Sequence, residues 1–463
     1  MVSFLENVIA LGNTILWSYV LIFLLIGAGT YFTIKSNFVQ FRFFKEMFRL
    51  IKQPSDKEKG VSPFQAFCIS TASKVGTGNL AGVALAISVG GPGAVFWMWL
   101  IALVGAASSF IENTLAQVYK IKDKSGYRGG PAYYMDKALG KRWMGVLFSV
   151  LITVCFGLVF NSVQSNTISF AFEEAFGLNR SVVGLGVLLV TATVIFGGVK
   201  RIAKVSAIIV PIMASAYIII ALFILITNIT MLPEMFSLII GDAFGFKPVL
   251  GGGAAAALMQ GIRRGLFSNE AGMGSAPNAA ATAVVSHPVK QGLIQTLGVF
   301  TDTIFICSAT AFIILLSGEY VNDGLSGIQL TQAALSFHVG SWGNTFIAIS
   351  ILLFSFSSII GNYYYGETNI EFLKGSKMLV LCYRVAVLFM VFFGSLTGLD
   401  LVWSMADLFM GSMALINLIA IIMLSNIAFK VLNDYIQQRK EGKDPIFYSK
   451  NVKGLENVEC WEE

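Results

Sequence analysis

The chain alternates long apolar runs with short polar connections, and the runs are too long to be core helices of a soluble domain. Eleven of them reach the ~20 residues a helix needs to cross ~30 Å of hydrocarbon. They lie at 12–34, 63–90, 92–119, 143–172, 181–199, 205–228, 251–285, 290–317, 342–367, 378–398 and 401–429. The pattern predicts an all-α polytopic membrane protein with 11 transmembrane helices. In the first run, apolar from Ile15 to Ala28, the first basic residue is Lys35, after the run. A cleavable signal would carry its positive charge ahead of the apolar stretch, so helix 12–34 is expected to be retained.

Two of the runs are interrupted. Ser73-Lys74-Val75-Gly76-Thr77-Gly78-Asn79 sits inside 63–90, and Gly265-Leu266-Phe267-Ser268-Asn269-Glu270-Ala271-Gly272-Met273-Gly274-Ser275-Ala276-Pro277 sits inside 251–285, with its break expected near 268–274. In hydrocarbon every backbone N–H and C=O must find a partner, so an unwound segment is tolerated only where it is buried in protein or lines a cavity. As one straight helix the run 63–90 would be ~42 Å long at ~1.5 Å per residue, which leaves length for a break.

Setting aside helix 12–34 and the connection 35–62 leaves five helices in 63–228 and five in 251–429. An odd number of crossings turns the second half over, as in an inverted repeat, and the interrupted helix comes first in each half. The two breaks are then expected to meet antiparallel at the midplane. Segments 229–250 and 318–341 are expected to cover the outer mouth. The inner connection 120–142, with Tyr127-Arg128-Gly129-Gly130-Pro131-Ala132-Tyr133-Tyr134, is expected to include a short interfacial helix.

Composition agrees, with 56% hydrophobic residues, 13% charged and a mean hydropathy of +0.73. The net charge of +6 would suit an acidic partner such as nucleic acid, but its placement argues otherwise. With the N-terminus outside, 26 of the 32 lysines and arginines fall in the inner segments 35–60, 120–142, 199–205, 286–290, 368–377 and 430–463. Only Arg180 and Lys247 fall in outer connections. This asymmetry is a topology signal that predicts an outside N-terminus and a cytoplasmic C-terminus in the cell membrane. Anionic lipid is then the partner of the basic residues, and nucleic acid is not. Cys68, Cys155, Cys307, Cys382 and Cys460 stand singly, with no CxxC spacing, which predicts neither a disulfide framework nor a metal site. The tail 430–463, polar and mixed in charge from Asn433 onward, carries no assigned function, and either disorder or a short helix is expected there.

The breaks suggest a chemistry. Where a helix restarts, near Thr77-Gly78-Asn79, its first N–H groups are unpaired and its dipole is positive, which suits a carboxylate. Where the preceding half ends, near Thr71 to Lys74, free carbonyls suit an ammonium group or Na⁺. Carboxylate and ammonium one turn apart describe an amino acid.

Ser73-Lys74-Val75-Gly76-Thr77-Gly78-Asn79-Leu80-Ala81-Gly82, the string from Gly261 to Pro277 and Tyr363-Tyr364-Tyr365-Gly366-Glu367 together resemble the alanine or glycine:cation symporter family, over nearly the whole chain except the tail. The resemblance implies a leucine-transporter-like fold and uptake of alanine or glycine coupled to Na⁺, with H⁺ coupling in some members. It implies an amino acid held between the breaks, with Thr77, Gly78 and Asn79 near its carboxylate and Gly272 and Met273 on the facing wall, Met273 limiting side-chain size. It also places a glutamine in the site. Gln164 is the candidate, and Asn161, three residues before it, shares its helical face. Interhelical hydrogen bonding is the alternative for both amides.

The same fold implies a sodium site from the hydroxyls of Ser357 and Ser358 with the carbonyls of Ala72, Val75 and Phe354, since hard cations take oxygen ligands. Ser358 would also border the substrate. The alternative is that these serines cap carbonyls of their own helix. Asn362, one turn on, stands where the family has an aromatic residue, and is expected to line the pocket.

Charges inside spans cost ~2.5–3.5 kcal/mol each on insertion scales, so each needs a use or a partner. Asp302 is the candidate for a second cation or a proton, with a salt bridge to Lys74 or an arginine as the alternative. Arg263 and Arg264 are expected to act with Glu270 as a gate or a fixed network around the second break. Glu112 and Glu367 are expected near cytoplasmic helix ends, paired with Lys120 or Arg384. A membrane enzyme finds no support, because the only histidines are His287 and His338, both in predicted loops, and no HExxH or Ser/His/Asp grouping occurs. A channel would need a continuous pore, whereas matched midplane breaks favour alternating access.

Overall fold

The computed structural model describes residues 2–53, 61–123, 126–246, 253–322, 324–373 and 375–461. Among these, eight helices are long and apolar enough to cross a membrane. They are α1 (Glu6–Lys35), α4 (Ala94–Val118), α5 (Arg142–Phe176), α7 (Lys204–Thr227), α10 (Pro288–Ser317), α11 (Trp342–Leu373), α12 (Lys377–Leu396) and α13 (Leu399–Lys440). Between them lie α2 (Pro63–Lys74) and α3 (Gly78–Gly90), the 16-residue α6 (Arg180–Ile195), and α8 (Gly253–Asn269) with α9 (Ala276–Ala280). The predicted runs 63–90 and 251–285 are therefore the pairs α2/α3 and α8/α9, each interrupted.

Local chemistry explains the first pair. Ser62 caps α2 by accepting from Gln65 N at 3.1 Å while Gln65 Oε1 accepts from Ser62 N at 3.0 Å, with Pro63 in the first turn, where it forfeits no hydrogen bond. The helix stops at Val75, whose backbone is extended (φ −79°, ψ 90°).

The second pair is less even than expected. α8 stops at Asn269, Glu270, Gly272 and Gly274 take positive φ (56°, 81° and 86°), and α9 has only 5 residues. Beyond α9, Val284 N donates to Val61 O at 3.0 Å, so the chain leaving the second break lies beside the entrance to α2. Residues 251 and 252, where that run was expected to begin, and Lys247 lie outside the described residues.

α8 packs on α3 and α4, while α9 packs on α2 and α4, so each half-helix of one break meets a half-helix of the other. α11 lies against α2, α5 and α7, and α13 against α1 and α4. Small residues permit these approaches: a Cβ on Gly261 would lie 2.4 Å from Ala94 O, and one on Gly394 2.2 Å from Ser162 O. Of four wide, π-type stretches among the described residues, two fall at Gly78–Gly82 and Phe300–Cys307 and contain Asn79 and Asp302.

The connections carry more structure than the sequence predicted. Segment 120–142 holds a hairpin, Ile121–Asp123 with Gly126–Arg128, before the expected short helix Pro131–Lys137. Helices Leu232–Ala243 and Gly327–Val339 occupy the two predicted outer segments. α13 runs on past 429 to Lys440, and the tail beyond it is folded back on the bundle rather than disordered, with Phe447, Val452, Val458 and Trp461 buried.

Candidate functional site

The site is built on the first break. Between α2 and α3 two backbone N–H groups lack helical partners, and side chains take them up: Asn79 Oδ1 accepts from Gly76 N at 2.9 Å and Gln164 Oε1 accepts from Thr77 N at 2.9 Å. Gln164 comes from α5, so this bond joins the break to a neighbouring helix. Thr77 Oγ1 lies 2.9 Å from Ser355 Oγ of α11. Gly76 is required by crowding, because a Cβ there would sit 2.1 Å from Ser358 Oγ and 2.8 Å from Gln164 Oε1.

Five oxygens converge just below. Ser358 Oγ lies 2.9 Å from Ala72 O, 3.1 Å from Phe354 O and 3.4 Å from Val75 O. Ser357 Oγ lies 2.8 Å from Phe354 O and 3.4 Å from Ala72 O. All five residues are fully buried, and the donor set is neutral and all-oxygen, the chemistry of a weakly held hard cation. Here both hydroxyls donate to carbonyls, one of them in their own helix.

On the other side of the break, Asp302 accepts from Asn79 Nδ2 at 2.7 Å, Ser268 Oγ at 2.7 Å and Thr303 Oγ1 at 2.9 Å. Asn79 thus spans from the N–H of Gly76 to a buried carboxyl group, and among the described residues Asp302 makes no ion pair with an arginine. Lys74, 2% exposed, has no hydrogen-bond partner for Nζ among the described residues.

The two breaks are bridged by Glu270. Its Oε1 lies 2.7 Å from Ser73 Oγ and its Oε2 accepts from Ser275 Oγ at 2.5 Å. The Asn362 amide lies 2.6 Å from the same Ser73 Oγ. One hydroxyl proton serves one acceptor, so Asn362 fits with its NH₂ turned toward Ser73.

Several sequence expectations are redirected. Glu112 is not paired with Lys120 at a helix end. It is fully buried and accepts from Gly272 N at 3.1 Å, Gly274 N at 3.0 Å and Asn417 Nδ2 at 2.8 Å. Two N–H groups of the second break, those of Gly272 and Gly274, are therefore already taken by a protein carboxyl group. Gly272 faces Leu418 and Ser108, the nearest atoms to a Cβ built on it, and not the first break. Phe267 and Ser268, one turn earlier, are what face Gly78. Met273, next to Gly272 in sequence, is buried, its N–H bonded to Glu270 O. Asn161 turns to its own helix, donating to Gly157 O at 3.0 Å.

Arg263 and Arg264 also leave Glu270 alone. Arg264 forks onto both oxygens of Asp407 in α13, and Arg263 Nη1 lies 3.7 Å from the same carboxylate. Asp407 could have been suspected from the sequence as an acid within a span. From this pair an aromatic stack leads to the break: Arg264 over Trp403 at 4.7 Å, Trp403 on Phe267 at 4.7 Å, and Phe267 on Phe160 at 4.5 Å. Glu367 does pair with Arg384, at 2.9 Å.

Comparisons with known proteins agree with this architecture. The chain is 59% identical over its full length to the "Probable sodium/glutamine symporter GlnT" of Bacillus subtilis, covering 97% of that protein. It is also 59% identical over its full length to the amino-acid carrier protein AlsT of the same organism, covering 99% of it. Among solved structures, MhsT in complex with L-phenylalanine aligns over 81% of this chain and 99% of its own, with a TM-score of 0.55 at 16% identity, a likeness of fold alone. The model of the sodium:alanine symporter family matches residues 2–449, and with broken helices, buried polar centre and relatives all in accord, the chain belongs to that family.

Proposed function

We propose that the protein is a secondary active symporter that carries a small neutral amino acid, alanine or glycine, into the cell with Na⁺ by alternating access. One contrast carries the reading. The N–H groups of Gly272 and Gly274 in the second break are held by the two carboxyl oxygens of Glu112, whereas those of Gly76 and Thr77 in the first are held by the amide oxygens of Asn79 and Gln164. A substrate carboxylate makes stronger, charge-assisted bonds than an amide oxygen and displaces the weaker partner, so the first break is the substrate's place.

The neutral oxygens of Ala72, Val75, Phe354, Ser357 and Ser358 then take Na⁺ when the serine hydroxyls rotate away from the carbonyls. Asp302 supplies a second cation or proton contact through the Asn79 side of the same break. The halves 63–228 and 251–429 work as inverted repeats in an 11-helix arrangement. The Arg264–Asp407 pair with the Trp403–Phe267–Phe160 stack forms the outer closure. The N-terminus is outside, the C-terminal tail is cytoplasmic, and the bilayer is the cell membrane.

Glutamine is the second reading of the substrate, favoured by the name of a relative 59% identical. Reconstituted protein and labelled alanine, glycine and glutamine decide between them under an imposed Na⁺ gradient, with K⁺ replacement and an imposed pH gradient as controls. Uptake of alanine that ignores Na⁺ but follows pH overturns the sodium assignment, and uptake of glutamine alone overturns the small substrate.

A further inference from the structure

The tail returns to the face of the bundle where α2 begins and α9 ends. Three links gather those ends. Gln117 Nε2, at the end of α4, donates to Ala280 O at 2.5 Å and Ala283 O at 3.1 Å. Lys120 Nζ donates to Ala283 O at 3.1 Å and Gln117 Oε1 at 2.8 Å. Val284 N bonds Val61 O, at the entrance to α2. Gln117 thus adds a bond to the last carbonyl of α9 and, with Lys120, takes up that of Ala283 three residues beyond it.

The tail lies directly over this cluster. Trp461 Nε1 donates to Gln117 O at 2.9 Å, and its ring covers Lys120 Nζ at 4.5 Å, with the Tyr127 ring also over Nζ at 4.2 Å. Phe447 N donates to Ser286 O at 2.9 Å, and Ser449 N donates to Trp461 O at 2.8 Å, which closes the tail on itself. Ion pairs Lys290–Asp444, at 2.7 Å, and Lys137–Glu459 anchor its flanks to the start of α10 and to helix Pro131–Lys137. Trp461 is 7% exposed and Lys120 2%, so the indole fills a formed seat.

We propose that the tail 441–461 is a latch: Trp461, seated on Lys120 and Gln117, holds the inner ends of α2 and α9 together and sets the balance between inward-closed and inward-open forms. The inference rests on the alternating-access reading. Its reason is placement, because Trp461 touches Gln117 and Lys120, which bond Ala280 and Ala283 next to the Val284–Val61 link to α2, at the face that must part for release. A ring on a buried ammonium and one hydrogen bond are weak enough to be undone in each cycle, yet able to shift a two-state equilibrium about tenfold.

The test needs no substrate. Thr282, 2% exposed and beside Ala283, is replaced by Cys in a chain whose five native cysteines are removed, and inside-out vesicles are treated with a maleimide. Alkylation about tenfold faster with Trp461→Ala than with Trp461, and intermediate with Trp461→Phe, is the expected result. Equal rates in all three overturn the latch. In a parallel assay of Na⁺-driven alanine uptake, Trp461→Ala raises the external KM several-fold at kept Vmax, because fewer carriers face outward. A lowered Vmax at unchanged KM, the mark of lost folded protein, overturns it instead. Faster labelling in a chain that carries neither alanine nor glutamine sinks the proposed substrates and leaves the latch standing.

Discussion

Gln164 and Asn79 each hold an N–H of the first break with an amide oxygen, and each has a second group to offer a zwitterion once that oxygen is displaced. Gln164→Ala and Asn79→Ala are each expected to weaken substrate binding about tenfold, equivalent to ~1.4 kcal/mol. Equilibrium binding of labelled alanine to purified protein is the measurement, and wild-type affinity in either variant removes that residue from the pocket. Ser358→Ala takes one of five oxygens from the proposed cation site while leaving the amide pair intact. It should raise half-saturating Na⁺ several-fold with Vmax at saturating Na⁺ largely preserved; a fall in Vmax with unchanged sodium dependence would assign Ser358 to helix capping.

At the scale of elements, the second break is held by Glu112 and the part of α8 leading into that break by Asp407. Glu112→Ala leaves the N–H groups of Gly272 and Gly274 without their acceptor, at ~1–3 kcal/mol for each buried group. A lowered melting temperature in detergent, alanine-independent, is the expected sign; an unchanged melting curve would show that water replaces the carboxylate without loss. Arg264→Ala leaves the buried Asp407 with only the longer contact to Arg263, and breaking such pairs costs up to ~3–5 kcal/mol. The double variant Arg264→Met with Asp407→Asn should therefore recover melting temperature over Arg264→Ala, while a maleimide added from outside gains access to a cysteine placed at Ser268. Continued protection of that cysteine would mean the aromatic stack closes the site without the ion pair.

For the whole molecule, the proposed orientation places the tail and the ends of α2 and α9 on the cytoplasmic side. Protease added to inside-out vesicles should cut within 441–461, and protease added to right-side-out cells should not. The reverse result would invert the topology and with it the direction of coupled uptake.

The sequence by itself determined where the helices are and which of them break, because hydrocarbon makes an unpaired backbone group too costly for a glycine-rich interruption to be casual. It also marked Thr77, Asn79, Gln164 and the Ser357–Ser358 pair, since amides and hydroxyls at span centres are conspicuous and their neighbours carry the family resemblance. What only the tertiary structure decided is which charge meets which. Arg264 and Asp407 lie 143 residues apart, Glu112 and Gly272 160, and Trp461 and Gln117 344, separations over which hydropathy has no reach. A buried charge takes whichever partner the fold brings near enough to offset its desolvation. Glu270, the acid closest in sequence, thus went to serines rather than to the arginines, and the polar tail found buried seats once α13 had carried it back over the bundle.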